Sequence, residues 1–361
     1  MNWPDTDTAV ALRQKYAADL VADPDDPWHR AFASVPRHVF TPRFFMQPSG
    51  RWQPVNWGDP GYLETVYSDA ALTTQLDELG IPTSSSSQPS LMLAMLEALD
   101  VHQGQRVLEL GTGTGYNLAL LAARLGDKNL VSVEPDTQLV DLALRRLEQA
   151  GYRPVVIAGD GTLGHVRRAP YDRIIATVGL THIPPALLDQ ATPGAVLVAP
   201  LGYGLVRLVL TGTGHASGRF LKPPARFMAV RGPATHPDLD TVRGERPTST
   251  TIALEDVLDR LTFAMSIALP GYTSSSWHDD KGQLEAVGLW LPDGSTAVAD
   301  ASGHVRQSGP SRVWDTVEDL AKTLPPHIDR PDFCVTVTPI RQTVTYGEPS
   351  GPSWHLPSTG Q

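Results

Sequence analysis

Cysteine is almost missing from this chain: Cys334 is the only one in 361 residues. A single thiol excludes an internal disulfide and a cysteine-based zinc cluster. Long apolar runs are also absent, and no stretch reaches the roughly 20 residues that span a bilayer. The opening MNWPDTDTAV is acidic and carries no apolar core of a secretory signal, so a cytoplasmic protein is expected. Basic residues are outnumbered, with 29 Lys and Arg against 39 Asp and Glu, for a net charge of −10. That balance disfavours a general affinity for nucleic acid phosphates or anionic lipid, and a neutral or basic peptide is easier to accommodate. Tryptophan is missing from the middle: all eight lie at positions 3–57 or 277–354. The flanking regions use them either to build thin cores or to form an aromatic peptide-binding surface.

What is present centres on Arg106 to Tyr116, RVLELGTGTGY. Val107, Leu108 and Leu110 supply a buried strand, and Gly111, Gly113 and Gly115 a turn. Leu118, Leu120, Leu121 and Leu125 continue at helical spacing. Glycines are needed where backbone approaches a ligand or takes positive φ, and a helix start just beyond them offers free N–H groups. The dinucleotide pattern G-x-G-x-x-G would need glycine at position 116, which is Tyr116; the pattern here is E-x-G-x-G-x-G from Glu109. The next apolar run ends in Glu134, an acid placed to take both hydroxyls of a ribose. Val155–Ile157 lead to Gly159-Asp160-Gly161-Thr162, where Asp160 is suited to an adenine amino group. A fourth strand, Tyr171 to Thr177, leads to Ile183-Pro184-Pro185-Ala186-Leu187-Leu188. Alternating strands and helices over 104–232 predict a doubly wound, Rossmann-like α/β sheet.

On these residues the chain resembles the S-adenosylmethionine methyltransferases, and specifically the protein-L-isoaspartate O-methyltransferase family. Val35-Pro36-Arg37-His38-Val39-Phe40 and Ser85-Ser86-Ser87-Gln88-Pro89 carry the likeness, with Pro193-Gly194-Ala195-Val196-Leu197-Val198 and Ala225-Arg226-Phe227-Met228 further on. It covers roughly residues 30–232. The resemblance implies a class I methyltransferase fold and a cofactor site made by Glu109, Gly111, Thr112, Gly113, Gly115, Tyr116, Glu134, Pro135, Asp160 and Gly161, with no metal. It also implies that Ser87, with Ser86 and Gln88 beside it, lies next to the reacting carboxylate. The family's usual isoleucine is replaced by Ser86, which implies a different substrate pocket. A carboxylate is already ionised at neutral pH, so its methylation needs positioning rather than a general base, and no nucleophile–base pair with convincing spacing is found.

The rest of the chain is organised around this core. Residues 1–30 read as a helical preface, with Ala9, Leu12, Tyr16 and Leu20 at helical intervals. The catalytic domain is expected over 31–234, with an insertion at 46–64 that is either a peptide-contacting lid or packing around Trp52 and Trp57. Ser84–Gln88 reads as a polar loop feeding a helix that starts at Pro89. His165 and His182 read as surface or loop histidines, His182 on the ligand side of the sheet. Residues 235–247 read as a linker, and 248–361 as a smaller α+β domain. That domain has a helix over Leu254–Leu269 and another over Trp314–Leu324. It also has a hairpin around Pro292-Asp293-Gly294-Ser295 and strands at Phe333–Thr338 and Gln342–Tyr346. The C-terminal third is similar to actinobacterial family members associated with ribosomally made peptides: graspetides, lanthipeptides and lasso peptides. That likeness implies methylation of an aspartate in a cyclised precursor peptide, leading to aspartimide or isoaspartate. The alternatives are general repair of isoaspartyl peptides and a peptide-binding module that only holds cofactor. No nucleic acid, membrane or metal partner is expected.

Overall fold

The computed structural model describes residues 3–48, 50–228 and 239–357. The chain divides into two compact units: Met1–Val178 with Pro184–Ala199 and Val209–Gly214, and Gly179–Ile183 with Pro200–Leu208 and His215–Gln361. The preface belongs to the first of these. Its helices α1 (Asp7–Leu20) and α2 (Pro27–Ser34) start at side-chain caps, Thr6 and Asp26. Ala9, Tyr16 and Ala17 of α1 are buried. Arg13 donates to the Ala33 carbonyl of α2 and to both carboxylate oxygens of Asp5.

Helix α3 (Arg37–Phe40), strands β1 (Arg43–Met46) and β2 (Gln53–Asn56), helix α4 (Tyr62–Val66) and strands β3 (Leu72–Leu76) and β4 (Pro82–Ser86) follow. The four strands form an antiparallel sheet in the order β2-β1-β3-β4. The inserted segment is built into this sheet: β2 pairs with β1, Met46 opposite Gln53. The Trp57 ring packs against Trp3, His38 and Tyr62. The segment is therefore packed through Trp57 and paired through β2. Ser84–Ser86, expected in a loop, lie in β4, where alternation buries Ser84 and Ser86.

Helix α5 (Pro89–Leu99) leads into the parallel sheet: β5 (Val107–Leu110), α6 (Tyr116–Leu125), β6 (Leu130–Glu134), α7 (Thr137–Gln149), β7 (Val155–Ala158), β8 (Tyr171–Ala176), α8 (Pro185–Asp189) and β9 (Ala191–Leu201). The strand order is β7-β6-β5-β8-β9, every pairing parallel. Strand β10 (Gly204–Gly212) lies next to β9. Every residue of β5 and β6 is buried, as expected of parallel strands covered on both faces. Burying Leu108, Leu118, Leu120 or Leu121 contributes about 1.5–3 kcal/mol each. This core fixes the carboxyl ends of β5, β6 and β7, where the candidate site is assembled.

The second unit is β-rich. Strands β11 (His215–Pro224), β17 (Phe333–Thr338), β18 (Arg341–Tyr346) and β19 (Ser353–His355) pair antiparallel in that order. Five more, β12 (Thr248–Ser249), β13 (Thr273–His278), β14 (Leu284–Trp290), β15 (Thr296–Asp300) and β16 (His304–Ser308), form a sheet ordered β12-β16-β15-β14-β13. The helices are α9 (Leu239–Gly244), α10 (Leu254–Leu258), α11 (Thr262–Ala268) and α12 (Val313–Thr323). Two expectations are corrected. The linker assigned to 235–247 contains α9, residues 235–238 lying outside the described residues. The single helix expected over Leu254–Leu269 is two. It breaks at Asp259, where Arg260 turns back to the Asp256 carboxylate and the Thr262 hydroxyl donates to the Val257 carbonyl. The tryptophans separate by role: Trp314 is buried, Trp354 lies against Phe333, and Trp277 is 36% exposed. Among the described residues no helix is long and apolar enough to cross a membrane.

Candidate active site

After β5 the chain turns through Gly111, Gly113 and Gly115, with φ of 88°, 51° and 87°, a conformation that costs other residues about 1–2 kcal/mol. The three glycines serve different ends. At Gly111 a Cβ would meet the Thr177 hydroxyl oxygen at 3.0 Å, and that hydroxyl donates to the Gly111 carbonyl at 2.6 Å. At Gly115 a Cβ would lie 3.3 Å from that of Ala143, so this glycine sets the close approach of α6 and α7. Gly113 stands at the apex, 3.7 Å from Ser84 and Ser85 of β4 by the same measure. Its N–H donates to the Glu134 carboxylate at 2.9 Å.

Glu134 ends β6, and its second oxygen accepts from the Asp136 N–H at 3.2 Å. Asp136 in turn caps α7 through the Gln138 and Leu139 N–H groups. Pro135 between them is exposed. Asp160, after β7, is exposed; its Oδ1 accepts from the Thr162 amide and hydroxyl at 2.9 and 2.7 Å. Its Oδ2 makes no hydrogen bond among the described residues. Gly161 is needed for packing, since a Cβ there would come 3.2 Å from Leu110.

Three residues assigned to the cofactor from sequence turn their side chains inward instead. Tyr116 is 3% exposed; its ring packs on Phe40 and its hydroxyl lies 3.3 Å from that of Tyr16. Thr112 shares a 2.6 Å bond with Ser132. Glu109, wholly buried, accepts from Ser132 at 2.6 Å and Asn117 at 2.7 Å. These side chains brace the turn from beneath. The reason is positional: Glu109 precedes the turn within β5, where both faces of the sheet are covered.

Burial raises the Glu109 carboxyl from 4.5 to about 7, against the opposing bonds from Ser132 and Asn117. Between those two values the folded chain holds a proton that the unfolded chain has released, so stability falls as pH rises across the window. The expected fall is about 3 kcal/mol. In Glu109→Gln, thermal midpoints measured from pH 4.5 to 7 are expected to lose this component; a slope equal to wild type contradicts the assignment.

The serine turn rests on Arg37, whose role has no sequence signature. Arg37, fully buried, donates to the carbonyls of Val66 (2.8 Å), Ser68 (3.0 Å), Ala70 (2.9 Å) and Ser87 (3.1 Å). The Ser86 hydroxyl lies 3.4 Å from its guanidinium. Ser86 is therefore buried against Arg37. Asp69, within the segment that Arg37 holds, accepts from Gln88 at 3.0 Å and from the Ser90 N–H at 2.8 Å, so it caps α5 from a distance. The Gln88 amide nitrogen also donates to the Ser90 hydroxyl at 3.1 Å. The half-buried Ser87 hydroxyl has no partner among the described residues. Arginine within Val-Pro-Arg was visible as a motif, but its acceptors lie 29 to 50 residues away.

The His165 carbonyl accepts from the Tyr171 hydroxyl at 2.7 Å and its residue starts a short turn. His182 lies 3.3 Å from the Thr181 hydroxyl, and burial lowers its pKa. Among the described residues no cluster of His, Cys, Asp or Glu is suited to a metal.

The glycine apex, the acid at the end of β6 and the acceptor after β7 fit S-adenosylmethionine: open backbone for the amino-acid portion, Glu134 for ribose hydroxyls and Asp160 Oδ2 for the adenine amino group. A parallel sheet of this order with that cradle defines a Rossmann-like S-adenosylmethionine-dependent methyltransferase. The profile of the protein-L-isoaspartate(D-aspartate) O-methyltransferase (PCMT) family matches residues 24–212. The chain belongs to that family, and it is thus a protein carboxyl O-methyltransferase. Protein-L-isoaspartate O-methyltransferase 1 of Archaeoglobus fulgidus is 36% identical over 176 residues, 48% of this chain and 71% of its own. The Xanthobacter autotrophicus enzyme is 40% identical over 181 residues, 48% of this chain and 77% of its own. A solved protein-L-isoaspartate O-methyltransferase matches 98% of this chain and 99% of its own, with a TM-score of 0.52 at 21% identity. That match shows a shared fold that extends through the C-terminal third.

Proposed function

We propose that this methyltransferase acts on the side-chain carboxylate of an aspartyl residue in a constrained, macrocyclic ribosomal peptide. The observation that carries the carboxylate reading is the serine turn: a free Ser87 hydroxyl beside a buried guanidinium whose acceptors are all uncharged. A carboxylate needs no base to become nucleophilic. The Ser87 hydroxyl orients the anion, and the Arg37 charge, unneutralised by any carboxylate in direct contact, favours it. When bound, S-adenosylmethionine supplies a methyl group on a sulfonium, an electrophile that leaves a neutral thioether. The resulting ester is open to attack by the next backbone nitrogen, which releases methanol and closes an aspartimide ring. The macrocyclic substrate is supported by a resemblance: His278-Asp279-Asp280, Leu289-Trp290, Gly309-Pro310-Ser311-Arg312-Val313-Trp314-Asp315 and Trp354-His355-Leu356-Pro357 resemble the extra domain of the family members associated with ribosomally made peptides. The chain's acidity agrees with a peptide partner.

A second reading, methylation of isoaspartyl residues in damaged proteins, is favoured by the activity for which the Archaeoglobus and Xanthobacter relatives are named. Methyl transfer to a linear isoaspartyl hexapeptide and to a cyclised aspartate peptide, followed separately by mass spectrometry, tests both. Methyl gain and then methanol loss on the cyclised peptide are expected, and methylation of the linear peptide alone replaces the first reading by the second. Ser87→Ala is expected to lower kcat by about ten- to a hundredfold, the worth of one hydrogen bond to a charged group. Its affinity for S-adenosylhomocysteine by calorimetry should stay at wild type. Wild-type turnover removes Ser87 from the reaction.

A further inference from the structure

The second unit contains a pocket of about 340 Å³ on one face of its five-stranded sheet. The opposite face is core: Val287, Leu289, Ala297, Ala299 and Val305 are at most 1% exposed. On the pocket face Ala286 pairs with Trp277, and Val298 pairs with both Gly288 and Arg306. The Trp277 ring lies over Gly288, where a Cβ would come within 2.7 Å of the indole. Glycine at 288 is thus what lets the indole form a wall. Glu285 lines the same pocket at a register shift between β13 and β14. Arg306 and Glu285 share this small space, yet neither side chain has a hydrogen bond or ion pair among the described residues, with each other or with any neighbour. Arg243 adds a second guanidinium to the lining.

An indole and a valine beside an unpaired guanidinium call for an apolar group next to an anion. Arg306 thus offers a guanidinium without a partner among the described residues, in a chain of net charge −10. We propose that it holds an acidic residue and its apolar neighbour in the peptide substrate, outside the methylated residue. The carboxylate lies on Arg306, the apolar side chain lies against Trp277 and Val298, and Glu285 accepts from a peptide N–H. The assignment rests on the reading that the substrate is a peptide.

The test uses the full chain with 15N-labelled indoles, the Trp277 signal being identified by its loss in Trp277→Phe. The probe is acetyl-Leu-Glu-Phe-Glu-amide, with acetyl-Leu-Gln-Phe-Gln-amide as its uncharged counterpart. A saturable shift of the Trp277 signal is expected. The glutamine peptide should bind about tenfold more weakly, the worth of one charge-assisted hydrogen bond, and Arg306→Gln should bind the glutamate peptide with a similar loss. No shift, equal affinity for the two peptides, or undiminished binding by Arg306→Gln overturns the proposal. The probe contains no aspartate, so its binding is independent of methylation. A chain that methylates peptides while Trp277 stays silent loses only the pocket, and one whose Trp277 responds but which methylates no peptide loses the functional reading.

Discussion

Arg37→Met is expected to abolish methyl transfer and to lower the thermal midpoint by about 10 °C or more, roughly 4 kcal/mol for a domain of this size. The methionine fills most of the space but leaves the Val66, Ser68, Ala70 and Ser87 carbonyls without their donor. Each buried acceptor so stranded costs about 1–3 kcal/mol, less where water can enter. Loss of folding alone would explain a dead enzyme, so Arg37→Lys separates the two effects. Lysine keeps the charge but cannot span acceptors spread around a planar guanidinium. Most of the midpoint should return while kcat stays about tenfold down, because the serine turn is no longer held in one place. Melting curves and initial rates on whichever peptide the wild type methylates decide this. A stable Arg37→Lys enzyme with wild-type kcat would show that Arg37 only supports the fold.

Glu134→Ala is the second large effect. The carboxylate anchors the Gly113 and Asp136 N–H groups in addition to the ribose hydroxyls it is placed to take. Its removal loosens the glycine apex and deletes the acceptor together. Loss of about 3 kcal/mol, roughly a hundredfold in S-adenosylhomocysteine affinity, is expected. Glu134→Gln should fall between, since its amide offers one acceptor where two donors now point. Calorimetric titration reads both variants, and an alanine variant within twofold of wild type would sink the ribose assignment.

The local parts of this site were legible in the chain. Strand β5, the glycine turn and α6 follow from consecutive residues, and Glu134 and Asp160 stand at strand ends that hydropathy alone locates. What could not be read was non-local. The family resemblance assigns Glu109 and Thr112 to the cofactor, but Ser132, 23 and 20 residues further on, draws both side chains inside. The hub at Arg37 depends on carbonyls, which have no sequence signature. Ser84–Ser86 read as a loop because a run of serines suits loops and helix caps, yet pairing with β3 places them in a strand. In the second unit the apolar spacing of Leu254–Leu269 was correct, and a local polar exchange at Arg260 and Thr262 broke the helix.

The C-terminal third no longer distinguishes the two functional readings by its presence, because its fold recurs in a solved protein-L-isoaspartate O-methyltransferase. What distinguishes them is the substrate the enzyme prefers. The most direct measurement puts the linear isoaspartyl peptide and the cyclised aspartate peptide in one vessel with limiting enzyme and S-adenosylmethionine. Mass spectrometry of both products then gives the ratio of their kcat/KM values. Preferential methylation of the cyclised peptide, followed by its loss of methanol, is the result this account predicts. Preferential methylation of the isoaspartyl peptide would contradict it and make the chain a repair methyltransferase.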